Sequence, residues 1–351
     1  MNLLVTGGAV FIGCNFVRYW QKKNPQDFIV VLDKLTYAGS LENLAGVNDV
    51  NFKFVQGDIC DQPLVESLLE QFKLDTIVHF AAESHVDRSI TGPDVFIETN
   101  IVGTHALLKV ARKKWITEGL VPHHRFHHVS TDEVYGSLEL TDAKFTESTP
   151  YKPSSPYSAS KAASDHLVWA YHATYGLNVT LSNCSNNYGA FQHTEKLIPR
   201  AILHLLKGEP MGIYGDGQNI RDWLYVDEHC RASELILKEG KSGDIFNVGT
   251  NAEKNNIEVV RDIASALVFL AENDVAFSKK VEPKLIAFWK AEKAIIRFID
   301  DRLGHDRRYA IDNSLIKNQL GFEPVTSFEA ALKETVKWYV DACFFLGLKH
   351  D

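Results

Sequence analysis

The segment Thr6-Gly7-Gly8-Ala9-Val10-Phe11-Ile12-Gly13 joins a short apolar run to a helical pattern, and this junction restricts the fold more than any other feature of the chain. Glycines at such a turn let the backbone reverse tightly, approach an anion and bring helix against strand, while the helix N-terminus favours negative charge. The flanks read as a strand over Leu3–Thr6 and a helix over Phe11–Lys23. The rhythm then repeats: strands over Phe28–Leu32, Phe52–Gln56, Thr76–Ala81, Phe126–Ser130 and Asn178–Asn183, with helices over Pro63–Phe72, Asn100–Lys114 and Tyr157–Tyr175.

Strands spaced by helices of this length require right-handed crossovers, so the expected fold is α/β with a doubly wound parallel (Rossmann) sheet. Apolar runs such as Ile29-Val30-Val31-Leu32 and Ile77-Val78-His79-Phe80 fit strands covered by helices on both faces. After Asn183, loops with glycine and proline multiply and a late helix spans Phe328–Asp341. This predicts a smaller mixed α/β substrate-binding lobe over the carboxyl edge of the sheet, where open α/β folds bind ligands. Asp244–Gly249 is strand-like and rejoins the main sheet. The expected division is therefore interleaved: residues 1–182 plus about 222–250 in the dinucleotide-binding domain, and 183–221 plus about 251–351 in the second.

The loop has an acidic partner. Asp33 ends the second strand about 20 residues on, where a carboxylate can accept from a ribose 2′-hydroxyl and would repel a 2′-phosphate, favouring NAD over NADP. Asp58-Ile59, after another short strand, is placed to meet an adenine. Val10 stands where a GxxGxxG loop has its middle glycine. A β-branched side chain there crowds a pyrophosphate, or strains the backbone if φ must be positive. Weakened NAD binding is the expectation.

Tyr157-Ser158-Ala159-Ser160-Lys161 places a phenol and an amine one turn apart on one helix face. A phenol of ordinary pKa, about 10, is a poor base at neutrality, and a neighbouring ammonium favours its ionised form. Alone, YxxxK reads by default as an exposed pair; beside the glycine loop it reads as catalytic. Ser130-Thr131-Asp132-Glu133-Val134-Tyr135-Gly136 follows an apolar strand directly, so its two acids project from the chemical edge or else form a solvated, capped turn.

With these motifs on the page, the chain resembles the extended short-chain dehydrogenase/reductase family, and within it the dTDP-glucose 4,6-dehydratases. Further segments that carry the likeness are Leu32–Gly39, Ala81–Ser89, Ser155–Lys161, Asn183–Gly189, Arg221–Val226 and Gly304–Tyr309. The Thr-Asp-Glu triplet is the specific element. The resemblance implies a lyase that oxidises C4 of the hexose of dTDP-glucose, eliminates water across C5–C6 and returns hydride to C6, yielding dTDP-4-keto-6-deoxyglucose. It assigns Tyr157 and Lys161 to the C4 oxidation and Thr131 to the same hydroxyl. Glu133 becomes the base at C5 and Asp132 the acid at C6. It places Gly7, Gly8, Phe11, Ile12, Gly13, Asp33, Lys34, Thr36, Asp58, Ile59, Ala82, Ser84, Thr99 and Asn187 around NAD, with Tyr157 and Lys161. It places His85, Asn186, Lys196, Leu197, Tyr214, Arg221, Asn256, Arg302 and His305 around the sugar nucleotide, Tyr214 near the base. Arg221 is a bidentate phosphate ligand or the partner of Asp222 or Asp227 in a structural ion pair. A homodimer through a four-helix bundle of Asn100–Lys114 and Tyr157–Tyr175 is implied as well.

The second lobe departs from that pattern at Gly189-Ala190-Phe191, at Leu303 and over Phe269–Ile296. Two other readings stay open: another sugar-nucleotide dehydratase or epimerase of the family, and a sugar-nucleotide-binding protein with impaired NAD binding.

Composition excludes other classes. Lys and Arg number 37 against 45 Asp and Glu, a net charge of −8 with no basic stripe, so no nucleic-acid backbone is an expected partner. The five cysteines are scattered without CxxC, as in reduced cytoplasmic proteins. His123, His124, His127 and His128 lack the helical spacing and carboxylate support of a metal site. The chain opens as a strand rather than a signal peptide, and apolar runs such as Ala266–Ala271 fall short of the roughly 20 residues that span a membrane. A soluble cytoplasmic enzyme without metal is expected.

Overall fold

The computed structural model describes residues 1–345. The expected second-lobe residues 346–351 lie outside the described ones. The strands, in chain order, are β1 (Asn2–Thr6), β2 (Phe28–Asp33), β3 (Phe52–Gln56), β4 (Thr76–His79), β5 (Arg125–Thr131), β6 (Val179–Cys184), β7 (Asn186–Tyr188), β8 (Met211–Tyr214), β9 (Ile220–Tyr225), β10 (Ile245–Val248), β11 (Glu253–Asn255) and β12 (Ile296–Ile299). Seven of them form one sheet in the order β3-β2-β1-β4-β5-β6-β10, and every neighbouring pair is parallel. The doubly wound sheet is as the strand–helix rhythm requires, and the 244–249 run does rejoin it as β10.

The chain moves from β1 outward to β3, then crosses to β4 on the other side. The carboxyl ends of β1 and β4 therefore flank the switch point, where a crevice opens. Helices cover both faces, so Leu3, Leu4 and Val5 of β1 are all fully buried. The helix Phe11–Lys23 buries Phe16, Val17 and Trp20 against Ile29 and Val31 of β2. Full burial of each such side chain contributes about 1.5–3 kcal/mol. The smaller sheets, β11-β9-β7 and β12-β8, surround a separate core in which Ile198, Ile202, Ile263, Leu267 and Val336 are closely packed.

Most elements differ from their expected bounds by a residue at one or both ends, the last helix runs to Phe345 rather than Asp341, and two larger differences bear on the crevice. β4 stops at His79, because its carboxyl end turns into the crevice wall at Phe80–Ala82. The long helix begins at Asp94 rather than Asn100 and continues to Thr117, with π-helical turns over Ile97–Gly103 and Arg112–Thr117. Its first turns bury only Phe96 among exposed Val95 and Ile97, so no apolar stripe marks them. The wide turn places Asn100 to bridge two elements: its amide donates to the Glu83 carbonyl at 3.0 Å and Ser160 Oγ at 2.9 Å, and its Oδ1 accepts from the Glu83 amide at 2.9 Å.

The glycine junction shows why those residue types are needed. Gly7 has φ +70°, and a Cβ there would lie 2.7 Å from the Ala81 backbone across the switch point. A Cβ on Gly13 would meet the Gly7 carbonyl oxygen at 2.2 Å. Gly13→Ala is therefore expected to lower the unfolding free energy by about 1–3 kcal/mol in denaturant titration. Gly103→Ala, whose Cβ would meet the Ile59 side chain at 2.5 Å rather than backbone, is expected to cost less.

Candidate active site

Two adjoining cavities occupy the crevice, of about 210 and 200 Å³. Ser84, Glu133, Asn186, Glu195 and Lys196 belong to the walls of both.

The first cavity runs over the glycine junction. Gly7, Val10, Phe11, Ile12 and Gly13 line it from one side, Ala82, Ser84 and Asn187 from others. The helix Phe11–Lys23 starts here with Val10 as a cap that makes no side-chain hydrogen bond and with no acid in its first turn. Its leading backbone N–H groups are thus left for a ligand anion, and the close backbone packing leaves a cradle that side chains would fill. These residues fit a dinucleotide. Val10 itself has φ −103°, so the backbone strain considered for this position is absent. Its side chain does line the cavity, so crowding is the surviving consequence.

The other residues expected here do not line the cavity; most stand at the strand ends beside it. Asp33 ends β2, its carboxylate accepting from the amides of Ala9 at 2.9 Å and Leu35 at 2.8 Å. Burial raises its pKa, opposed by those two bonds. Lys34 pairs with Asp58 at 2.7 Å, and Asp58 also accepts from Cys60 N at 2.9 Å. The Thr36 carbonyl closes a turn with Gly39 at 3.0 Å. Ile59 is buried against Gly103, Gly8 is packed under Val31, and Thr99 is half-buried in the first π-helical turn.

Thr131, Glu133, Tyr157 and Lys161 share the inner wall of the same cavity. The first two come from the end of β5 and the 3-10 turn Asp132–Tyr135; the others come from the helix Pro156–Tyr175. That helix starts here because Ser155 and Ser158 form a capping box and Pro156 occupies its first turn. Asp132 is drawn back behind this wall, 1% exposed, and its Oδ2 has no hydrogen-bond partner.

The electrostatics separate the roles. Burial pushes Asp132 well above the usual carboxylate range, and Glu133 and Asp222 push it further, with Arg221 opposing them; the balance favours its protonated form. Burial also raises Glu133, but the Arg302, Arg221 and Lys196 charges restrain it. Tyr157 is raised by burial and by Glu133, while a hydrogen bond with the Thr131 side chain opposes this. Lys161 Nζ donates to the Val129 carbonyl at 2.9 Å.

The second cavity collects His85, Asn186, Lys196, Leu197, Tyr214, Arg221, Asn256, Arg302 and His305, all nine residues expected to face the sugar nucleotide. Arg200 adds a further cation. Arg302 Nε and Asn186 Oδ1 are buried polar atoms without partners. Arg221 does not pair with Asp222 or Asp227. Its guanidinium donates to the carbonyls of Ile220 and Asp306 at 2.7 and 3.0 Å and lies 4.1 Å over the Tyr309 ring. Asp222 instead accepts from Thr250 N, Thr250 Oγ1 and Ala252 N at 3.1, 3.2 and 2.8 Å.

Sequence reasoning missed Tyr309, Tyr37 and Glu195. Glu195 borders both cavities, accepts from Tyr37 Oη at 3.1 Å and stands 3.4 Å from Arg88 Nη2. The Arg88 guanidinium in turn lies 3.8 Å over the Tyr37 ring. The signal available was Glu195-Lys196, a charged pair directly before an apolar helix.

Known proteins are similar to this chain along nearly its whole length. The family described as GDP-mannose 4,6 dehydratase matches residues 4–335. A dTDP-glucose 4,6-dehydratase of Haemophilus influenzae is 50% identical over 97% of this chain and 98% of its own. The Salmonella typhimurium protein of that name is 49% identical over 97% and 93%. The chain belongs to the dTDP-glucose 4,6-dehydratases. A solved dehydratase of this family from Streptomyces venezuelae, with NAD bound, superposes with a TM-score of 0.86 at 44% identity, covering 99% of this chain and 100% of that one. A UDP-glucose 4-epimerase from Thermotoga maritima reaches 0.83 at only 26% identity over 98% and 100%, so this architecture serves more than one reaction.

Proposed function

We propose that the protein converts dTDP-glucose to dTDP-4-keto-6-deoxyglucose, with NAD held in the first cavity and the sugar nucleotide in the second. The observation that carries this reading is the meeting of Tyr157, Thr131 and Glu133 in one wall, with Glu133 common to both cavities. Residues 1–182 with about 222–250 would serve the cofactor, and 183–221 with 251–351 the nucleotide. When bound, NAD supplies a hydride acceptor that later returns what it took. Gly7, Gly8, Phe11, Ile12 and Gly13 would cradle its pyrophosphate, and Asp33 its ribose. Lys34, Thr36, Asp58, Ile59 and Thr99 would border the adenosine half. Ala82, Ser84 and Asn187 would follow the nicotinamide, and Lys161 its ribose.

Tyr157 accepts the C4-hydroxyl proton, and Thr131 orients that hydroxyl. Once C4 is a ketone, the C5 proton becomes acidic and Glu133 removes it. Asp132, protonated in its buried place, gives a proton to the departing C6 oxygen, which leaves as water. Lys196, Arg221, Arg302 and His305 face the diphosphate, His85, Asn186, Leu197 and Asn256 complete the pocket, and Tyr214 stands by the base. An incubation with dTDP-glucose, UDP-glucose and GDP-mannose, with and without NAD and read by the alkaline absorbance of 4-keto sugars, tests the reading. Product from dTDP-glucose supports it; an epimer without keto sugar overturns it.

Among the described residues, no helix is long and apolar enough to cross a membrane. The reading places the enzyme in the cytoplasm as a homodimer. Val95, Ile97, Val102, Ile116, Trp169 and Tyr175 are 40–50% exposed on two packed helices, Asp94–Thr117 and Pro156–Tyr175. A second copy would bury these residues in a four-helix bundle. Trp169→Glu combined with Val102→Glu is expected to halve the mass seen by analytical ultracentrifugation.

Glu133→Gln should lower kcat by about 10²–10⁴-fold. It should also abolish deuterium entry at C5 of product formed in heavy water, seen by NMR. Because burial raises the Glu133 carboxyl, the wild-type rate should fall with decreasing pH at a pH above the usual glutamate range. A rate that stays flat down to that usual range would contradict the assignment.

Val10→Gly removes the branched side chain from the cavity wall and should tighten NAD binding severalfold in calorimetry. An unchanged affinity would show that the side chain does not crowd the cofactor.

A further inference from the structure

One buried acid in this region has no part in the chemistry set out above. Asp165 follows Lys161 by four residues on the helix Pro156–Tyr175, so the two side chains share a face. Lys161 and Asp165 are 4% and 3% exposed. The carboxylate accepts from Ser130 Oγ at 2.8 Å, and its other oxygen lies 3.2 Å from His128 Nε2. Lys161 Nζ grips the carbonyl of Val129, the residue between them. One helix thus holds three successive residues of β5, through an ammonium and a carboxylate, immediately before Thr131-Asp132-Glu133.

We propose that Asp165 is a positioning residue that keeps Lys161 charged and aimed at the end of β5, and so sets the upper pH limit of turnover. The turnover half of this statement rests on the dehydratase reading.

Among the described residues, the surroundings leave no other anion for the task. Lys161 is faced by Asp165 on its own helix, His128 on β5, His79 on β4 and Cys184 on β6, and Tyr157, one turn earlier, shares its cavity wall. Burial drives both histidines well below their usual range, so neither is charged. In the protein alone, burial pushes the Cys184 thiol up to about 12 and raises Tyr157, so neither is a resident anion; the positive nicotinamide of bound NAD would favour the phenolate that takes the C4 proton. Asp165 itself is raised to about 6 by burial and restrained by Lys161 and Ser130, so it is ionised at neutral pH. Around Asp165 stand Lys161, His128, His166, Tyr151 and Ser130, which add no second carboxylate. Burial lowers the Lys161 pKa and Asp165 opposes that. A buried ammonium deprived of its counter-charge gives up its proton more readily.

Asp165→Asn keeps the shape and removes the charge. Titration of Cε-labelled lysines by NMR, with Lys161→Arg identifying the resonance, should show the Lys161 midpoint moving to lower pH in the variant. The alkaline limb of kcat/KM should move the same way, with a loss of about tenfold for each unit of displacement, while the acid limb stays in place. A merely structural role would lower the melting temperature and leave both the resonance and the limb unmoved, which overturns the proposal. Movement of the resonance in a protein whose wild type makes no keto sugar would reject the dehydratase reading and retain the role of Asp165. Should Asp165→Asn fail to fold, Ser130→Ala, which strips the carboxylate of its anchoring hydroxyl, should displace the Lys161 midpoint measurably; an unmoved midpoint overturns the proposal.

Discussion

The Lys161 ammonium, buried between the helix Pro156–Tyr175 and β5 and bonded to the Val129 carbonyl at 2.9 Å, sets the geometry on which the rest depends. Burying a charge is costly unless it is met by hydrogen bonds and opposite charge. The helix must therefore lie at one height and rotation on the sheet. That placement carries Tyr157, one turn earlier, to the end of β5, where Thr131 and Glu133 emerge. Asn100 adds a second restraint by bonding Ser160 on the same helix and the backbone of Glu83 in the opposite wall. Convergence of phenol, hydroxyl and acid is thus a result of backbone packing and does not need a ligand to assemble it.

The same burial gives two adjacent carboxyls opposite uses. Asp132 is destabilised as an anion by burial, Glu133 and Asp222, with Arg221 opposing them. Glu133, one residue on, faces Arg302, Arg221 and Lys196, which favour its ionised form. A strand end followed by a 3-10 turn is what separates them, because successive side chains there diverge. Burial thus acts on both members of one dipeptide, and the neighbouring charges set them apart.

Much of this was legible in the sequence because it is written in local patterns. A glycine junction between strand and helix, an acid at the next strand end, and a YxxxK pair after a serine–proline cap each report their own geometry. Other parts are written only in the third dimension. The helix starting at Asp94 hides its first turns, since Val95 and Ile97 face outward. Tyr37, Arg88 and Glu195 come from three distant segments that no periodicity links, yet they meet beside the cavities. Val10 could be recognised as an exception, but only its extended φ tells strain from crowding. The hydrogen bonding of Arg221 was likewise undecidable from neighbouring acids, because Asp222 turns its carboxylate to the 250–252 backbone.

That turn of Asp222 also explains how the second lobe tolerates its departures. β9 lies between β11 and β7, and Asp222 ties it to the loop after β10, so Arg221 is fixed by backbone geometry. Arg308 reaches Glu253 at 2.8 Å and closes the other side of the same strand cluster. Phe191, at φ +67°, packs 4.8 Å from Trp338 and lies under Arg18, outside the second cavity. Leu303 is 77% exposed, and the Trp289 indole donates to the Leu205 carbonyl at 2.8 Å in the separate core. Of these three side chains none lines the second cavity, so the residues that line it keep their frame while the periphery changes. Sequence drift at these three positions therefore bears on packing first, while Lys196, Arg221 and Arg302 of the same lobe still act on Glu133.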